Sequence, residues 1–118
     1  GKAPRLFEKS DQIYRDFIYI EDVIQANIKS CSAKESGIYN VGTGQPRSFL
    51  DIANILQDEL GTNFKIEYFP NPYDGYQFDT RADIKSSKIY LEFEPIISLE
   101  IGIKNYISEI KHLYNKYH

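Results

Sequence analysis

The sequence holds a single cysteine, Cys31, so no internal disulfide can form; a small half-buried thiol near the end of a helix is its expected role. Its two histidines, His112 and His118, have no Cys, Asp or Glu companions at ligand spacing, and no metal is expected. Basic residues are neither dominant nor clustered. The 14 Lys and Arg against 17 Asp and Glu leave a net charge of -3, without the dense cationic face that nonspecific nucleic-acid binding needs. No apolar run approaches the roughly 18 residues of a membrane span, and no signal-peptide core is present. The expectation is a protein of the reducing cytoplasm with neither nucleic acid nor membrane as partner. What remains is 42% hydrophobic and 14% aromatic, enough for one domain over residues 1–118 with a modest core.

The most informative stretch is Arg15-Asp16-Phe17-Ile18-Tyr19-Ile20-Glu21-Asp22-Val23. Aromatic and β-branched residues over 15–20 suit a short strand packed on two sides. Asp22 with Gln25 three residues on then reads as the capping box of a helix. An Arg held at the start of a rigid strand can present its guanidinium fork to phosphate oxygens. An ion pair of Arg15 with Asp16 or Glu21 accounts for the same residue equally simply.

The remainder alternates strands and helices. Gly37 to Val41 reads as a strand closed by Gly42-Thr43-Gly44, two glycines that serve either as turn formers or as bare amides around an anion. Ser48 and Asp51 form a second capping box; Phe49, Ile52, Ala53, Leu56 and Leu60 follow at helical spacing, and Gly61 stops the helix. Phe64 to Phe69 alternates as a strand, with Phe64, Ile66 and Tyr68 on one face. Residues 71–81 are too aromatic for a passive linker: Tyr73, Tyr76 and Phe78 beside Gln77 and Arg81 suit either a site that stacks a flat base or sugar face or a set of surface plugs. For Arg81, pairing with Asp79 or Asp83 is an alternative. Asp83 is read as the cap of a short helix. Leu99, Ile103, Tyr106, Ile107, Ile110, Leu113, Tyr114 and Tyr117 form a stripe on the last helix that is expected to be core. The expected fold is mixed α/β, with strands at 15–20, 37–41 and 64–69 and helices at 23–31, 49–60, 84–90 and 99–116.

Two strings, Arg15 to Val23 and Gly37-Ile38-Tyr39-Asn40-Val41-Gly42-Thr43-Gly44, resemble in order and spacing the C-terminal half of extended short-chain dehydrogenases/reductases acting on nucleotide sugars. Leu6-Phe7-Glu8-Lys9-Ser10 and Tyr73-Asp74-Gly75-Tyr76-Gln77-Phe78 bring the likeness closest to the branch that epimerises ADP-heptose. The resemblance covers nearly all 118 residues and implies an α/β, C-terminal substrate-binding part lacking most of the Rossmann domain. It implies that Phe7, Glu8, Lys9 and Ser10 line the ADP-heptose site, that Arg15 meets the diphosphate or a nearby sugar, and that Tyr76 touches substrate. It implies NADP bound by an N-terminal domain missing here, a homo-oligomer at full length, and inversion of heptose C6 by transient oxidation, for the inner core of lipopolysaccharide.

Three departures bear on this. Lys9 stands where relatives often have Gly, and Glu92 and Phe93 replace two residues of a Leu-Gly-Trp-x-Pro pattern. None of the ten tyrosines is followed four residues later by lysine, so the catalytic Tyr-x-x-x-Lys of that family is absent, and there is no glycine-rich cofactor fingerprint. Another nucleotide-sugar epimerase or dehydratase, or a nonenzymatic sugar-binding or interaction module, are the alternatives. A part cut from an epimerase would expose the apolar faces of 23–30 and 37–41, which a self-sufficient module would not.

Overall fold

Arg5–Phe7 forms strand β1, and its partner comes from far along the chain. Strand β4, Glu67–Phe69, runs parallel to it with Leu6 opposite Tyr68 and Phe7 opposite Phe69. Such a pairing requires a long crossover, here supplied by everything between them. The computed structural model describes residues 1–117; His118, one of the two histidines weighed above, lies outside them.

A 3-10 turn at Ser10–Gln12 reverses the chain into β2, Tyr14–Arg15, which pairs antiparallel with β3, Arg47–Ser48. The strand expected at 15–20 is therefore two residues long and shifted by one. Beyond Arg15 the chain has no ladder partner, and it enters helix α1, Ile20–Ser30, through Tyr19, whose backbone is extended. Asp22 is not the cap: it sits inside the first turn, 2% exposed, and its carboxylate accepts the amides of Ile96 at 3.2 Å and Ile97 at 3.0 Å. A buried carboxylate needs such donors, and here it pins a segment 75 positions away.

Helix α2, Phe49–Leu60, starts and stops as its sequence dictates. Ser48 Oγ accepts the Asp51 amide at 3.0 Å, Asp51 accepts the Ser48 amide at 3.1 Å, and Gly61 closes the helix in the left-handed conformation at φ 66°. Helix α3, Lys85–Tyr90, begins one residue later than expected, with Asp83 accepting the Lys85 amide from two positions upstream. Helix α4, Leu99–Tyr117, is capped by Ser98, whose hydroxyl accepts the Ile101 amide.

Burial is concentrated in small clusters. Ala26, Leu91 and Phe93 form one, with Ile18, Ala33 and Tyr39 packed against it; Ile13, Ala53 and Ile84 are buried elsewhere. Phe93, in place of the family's Trp, is 1% exposed. Several expectations fail for one reason, the want of a partner within the described residues. Residues 37–41 form no strand, and Ile38 is 99% exposed, because no second strand lies beside them. The exposure of Ile20, Ile24 and Ile28 along α1, by contrast, is what a part cut from an epimerase was expected to show. No residue of the α4 stripe is fully buried: Leu99, Ile103, Ile107 and Ile110 are half-buried, and Tyr106, Leu113, Tyr114 and Tyr117 are exposed. The strand expected at 64–69 covers only Glu67–Phe69, within which Phe69 is half-buried against Phe7 and Tyr68 is exposed. Cys31 is exposed rather than half-buried, at the C-terminal end of α1.

Candidate functional site

The aromatic loop returns to β1. Tyr14 donates its amide to the Phe78 carbonyl at 2.6 Å and accepts the Thr80 amide at 3.2 Å, so residues 78–80 run beside β2 and bring Tyr76 over Phe7. The Phe7 ring lies edge-on to Phe69 at 5.0 Å and to Tyr76 at 5.7 Å, and Tyr73 stacks on Tyr76 at 6.4 Å. Edge-to-face and offset-stacked contacts at these spacings are favourable and hold the rings as one group.

Arg15 enters this aromatic group from β2. Its guanidinium donates to the Gln77 carbonyl at 2.7 Å and the Tyr14 carbonyl at 2.8 Å, and lies 5.1 Å from the Tyr76 ring and 5.9 Å from that of Phe49. It pairs with neither Asp16 nor Glu21. Two carbonyls and two rings fix its plane while most of its N–H groups stay unused, the condition for a bidentate contact with an anion.

Beneath the rings is a cleft of about 180 Å³ whose lining includes Arg5, Phe7, Ser10, Phe49, Phe69 and Tyr76. Ser10 is 1% exposed, and its hydroxyl has no hydrogen-bond partner. An unpaired buried hydroxyl costs stability and is rare in folded chains, so its position at this cleft is informative. Phe7, Ser10, Arg15 and Tyr76 are thus brought together. Glu8 and Lys9 present exposed side chains; the Glu8 amide continues the β1–β4 ladder to the Phe69 carbonyl, and Lys9 turns the chain at φ 61°.

The glycine turn also holds an anion, one supplied by the chain itself. Asp16 accepts the Thr43 hydroxyl at 2.5 Å, the Thr43 amide at 2.8 Å, the Gly44 amide at 2.7 Å and the Ala82 amide at 3.1 Å. Partial burial pushes the Asp16 carboxyl up, but the Thr43 hydroxyl and the Thr43, Ala82 and Gly44 amides more than offset it and hold the group below its usual value. Neither a cofactor phosphate nor a nicotinamide has a cradle in this turn. A larger cavity of about 500 Å³ lies between α2 and α4, lined by Ile52, Leu56, Ile103 and Tyr106 among others; it is almost wholly apolar, and neither Arg15 nor Ser10 lines it. Among the described residues no group of three potential metal ligands occurs and no helix is long and apolar enough to cross a membrane.

No family model matches the chain. It is 37% identical over 110 residues to an ADP-L-glycero-D-manno-heptose-6-epimerase of Brachyspira hyodysenteriae, covering 90% of this chain and 34% of that protein. The crystal structure of the Helicobacter pylori ADP-L-glycero-D-manno-heptose-6-epimerase superposes with a TM-score of 0.82 at 44% identity, over 92% of this chain and 33% of that one.

This chain is homologous to part of a nucleotide-sugar epimerase.

It spans about a third of the length of the relatives it matches. A Bacillus cereus UDP-glucuronic acid 4-epimerase, solved with UDP-glucuronic acid and NAD, superposes with a TM-score of 0.84 at 29% identity, over 96% of this chain and 36% of that one. The mixed α/β arrangement is therefore that of a third of an epimerase structure, and a nicotinamide cofactor occurs among its neighbours.

Two departures of this epimerase homologue coincide with backbone geometry. Lys9 and Glu92, the two positions at which the family resemblance leads one to expect Gly, are the two non-glycine residues at positive φ among those described, 61° and 53°. Arg5, Phe49 and Phe69 are site residues that reading the sequence missed. Phe69 was detectable only through its register with Phe7, and Arg5 through the period of two that places it on the same side of β1 as Phe7.

Proposed function

We propose that this chain is the C-terminal, substrate-binding part of an ADP-heptose 6-epimerase. The observation that carries the reading is Arg15, fixed by the Gln77 carbonyl beside the Tyr76 ring, next to a cleft where the Ser10 hydroxyl is buried without a partner. The 37% and 44% identities to ADP-heptose epimerases support the choice of substrate. In this reading Arg15 takes the diphosphate through its unused N–H groups. Tyr76 and Phe7 offer faces and edges to a flat base or a sugar, and the Ser10 hydroxyl hydrogen-bonds the part of the ligand that enters the cleft. Glu8 and Lys9 contribute at the rim, through the backbone turn they form.

The residues present do not fit a nicotinamide cofactor. The one glycine turn with convergent amides is filled by Asp16, and no Tyr-x-x-x-Lys occurs in the chain. The epimerisation would therefore use NADP held elsewhere in the full-length protein, and this chain alone would be inactive. Its contribution is binding and orientation. The product would serve lipopolysaccharide inner-core synthesis in the cytoplasm.

Calorimetric titration of ADP-heptose and of UDP-glucose into the full-length protein, wild type and Arg15→Ala, tests this. Loss of a charge-assisted phosphate contact should weaken ADP-heptose binding by about 1.5–3 kcal/mol, with no UDP-glucose binding. Preference for UDP-glucose would keep the nucleotide-sugar class and change the substrate. Binding of neither would favour an interaction module.

A further inference from the structure

Arg15 and Arg47 are register partners across β2 and β3, two like charges set opposite each other, an unfavourable arrangement unless one is drawn away. Arg47 is drawn away: its guanidinium meets Glu100 at 2.7 Å and Asp51 at 3.3 Å. No carboxylate pairs with Arg15 among the described residues; two carbonyls and the rings of Tyr76 and Phe49 surround it instead. Neutral partners hold a cation without cancelling its charge, so Arg15 keeps that charge for an anion. The two rings differ in how firmly they are placed. Tyr76 belongs to the loop at 71–77, whose one hydrogen bond to the rest of the described chain comes from Arg15 itself. Phe49 opens α2: Ser48 beside it is locked in the capping box with Asp51, its own amide donates to the Ile13 carbonyl at 3.3 Å, and its ring meets that of Phe17 edge-on at 5.6 Å.

We propose that Phe49 is a positioning residue for the diphosphate, acting through Arg15. It stands two positions past Arg47, the diagonal place across an antiparallel pair from which an aromatic ring reaches a long side chain. From there its ring lies 5.9 Å from the Arg15 guanidinium, within cation–π range. An arginine free to move among its rotamers must be ordered when a ligand arrives, which lowers affinity; one already held against a ring on a helix is ordered beforehand. Tyr76 is the weaker guide, because its loop takes its anchor from the very residue it would position. This inference rests on the reading of Arg15 as the diphosphate contact, and adds to it a residue that acts without touching a phosphate.

A double-mutant cycle on the full-length protein, read by titration with ADP-heptose, tests this, with thermal unfolding as the check that each variant folds. Phe49→Leu and Phe49→Met both keep an apolar side chain and remove the ring, so either serves if the other does not fold. With Arg15 present, the ring-less variant should bind about two- to fivefold more weakly than wild type, the worth of an exposed cation–π contact. Phe49→Tyr, which keeps a ring, should bind like the wild type. In the Arg15→Ala background, itself weakened about tenfold or more, losing the ring should cost nothing further. A loss that persists undiminished in Arg15→Ala overturns the proposal, since Phe49, which also lines the cleft, would then meet the ligand or shape the cleft by itself. So does a ring-less variant that binds as tightly as wild type while Arg15→Ala is weakened. If Arg15→Ala binds like the wild type, the diphosphate reading of Arg15 falls first, and this inference falls with it.

Discussion

The Asp16 carboxylate occupies the concave side of the turn at Gly44, accepting its amide at 2.7 Å, while the same side chain holds the Thr43 hydroxyl and the Ala82 amide. One carboxylate thereby ties the end of β2 to two segments that otherwise have no regular structure. It carries its charge into the folded state on donors that favour the ionised form.

Acid should therefore weaken this junction. The Asp16 carboxyl titrates below its unfolded value of about 3.9, so its contribution is complete above that pH and is lost as pH falls through the lower, folded value. Asp16→Asn is expected to lower the urea midpoint at pH 7, with the difference from wild type shrinking below about pH 3.9. A deficit in Asp16→Asn that stays constant from pH 7 to pH 3 would contradict this origin.

The same turn explains Gly42. A Cβ there would lie 2.5 Å from the Ala82 Cβ and 3.0 Å from an Asp16 carboxylate oxygen. Gly42→Ala must displace either the 82 segment or the anchoring carboxylate, a loss of about 1–3 kcal/mol by denaturant titration. Gly44→Ala, where the nearest neighbour is 3.6 Å away, bears only the cost of its positive φ and should be the milder of the two.

Local signals were legible in the sequence and distant ones were not. The Ser48/Asp51 capping box and the Gly61 stop were readable because every partner lies within a few positions. Asp22 was misread as a cap since its partners are at Ile96 and Ile97, and 37–41 as a strand since a strand's identity depends on a neighbour that the described residues do not contain. At the site, Phe7, Ser10, Arg15 and Tyr76 came from the family resemblance. Arg5, Phe49 and Phe69 became visible only when the β1–β4 register and the Arg15 stacking were known.

At Lys9 the chain turns with φ 61° and ψ 24°, a conformation that costs an L side chain roughly 1–2 kcal/mol, of which glycine's greater unfolded-state freedom returns about half. Lys9→Gly is expected to raise stability by about 0.5–1 kcal/mol in chemical denaturation. Glu92→Gly should gain less, because Glu92 holds Lys34 at 2.7 Å through its carboxylate.

Removing the Asp22 carboxylate leaves the Ile96 and Ile97 amides without their acceptor. Asp22→Ala should cost about 1.5–3 kcal/mol, the range for a hydrogen bond to a charged group. Hydrogen exchange locates the effect: the Ile96 and Ile97 amides should exchange faster, while those in the middle of α2 keep their protection relative to global unfolding.

Ser10 separates a structural from a binding role more sharply than any other residue at the cleft. Its hydroxyl is buried and unpaired, so Ser10→Ala removes a desolvated polar atom and loses no hydrogen bond within the chain. Thermal unfolding of the free protein should show stability unchanged or raised by up to about 1 kcal/mol. Titration with ADP-heptose should show the opposite sign, a loss of about 0.5–1.5 kcal/mol, if the hydroxyl finds its partner on the ligand. A residue that served only packing would not divide its effects in this way. Equal binding by Ser10→Ala and wild type would remove Ser10 from the site and leave the cleft to Arg15 and the aromatic rings.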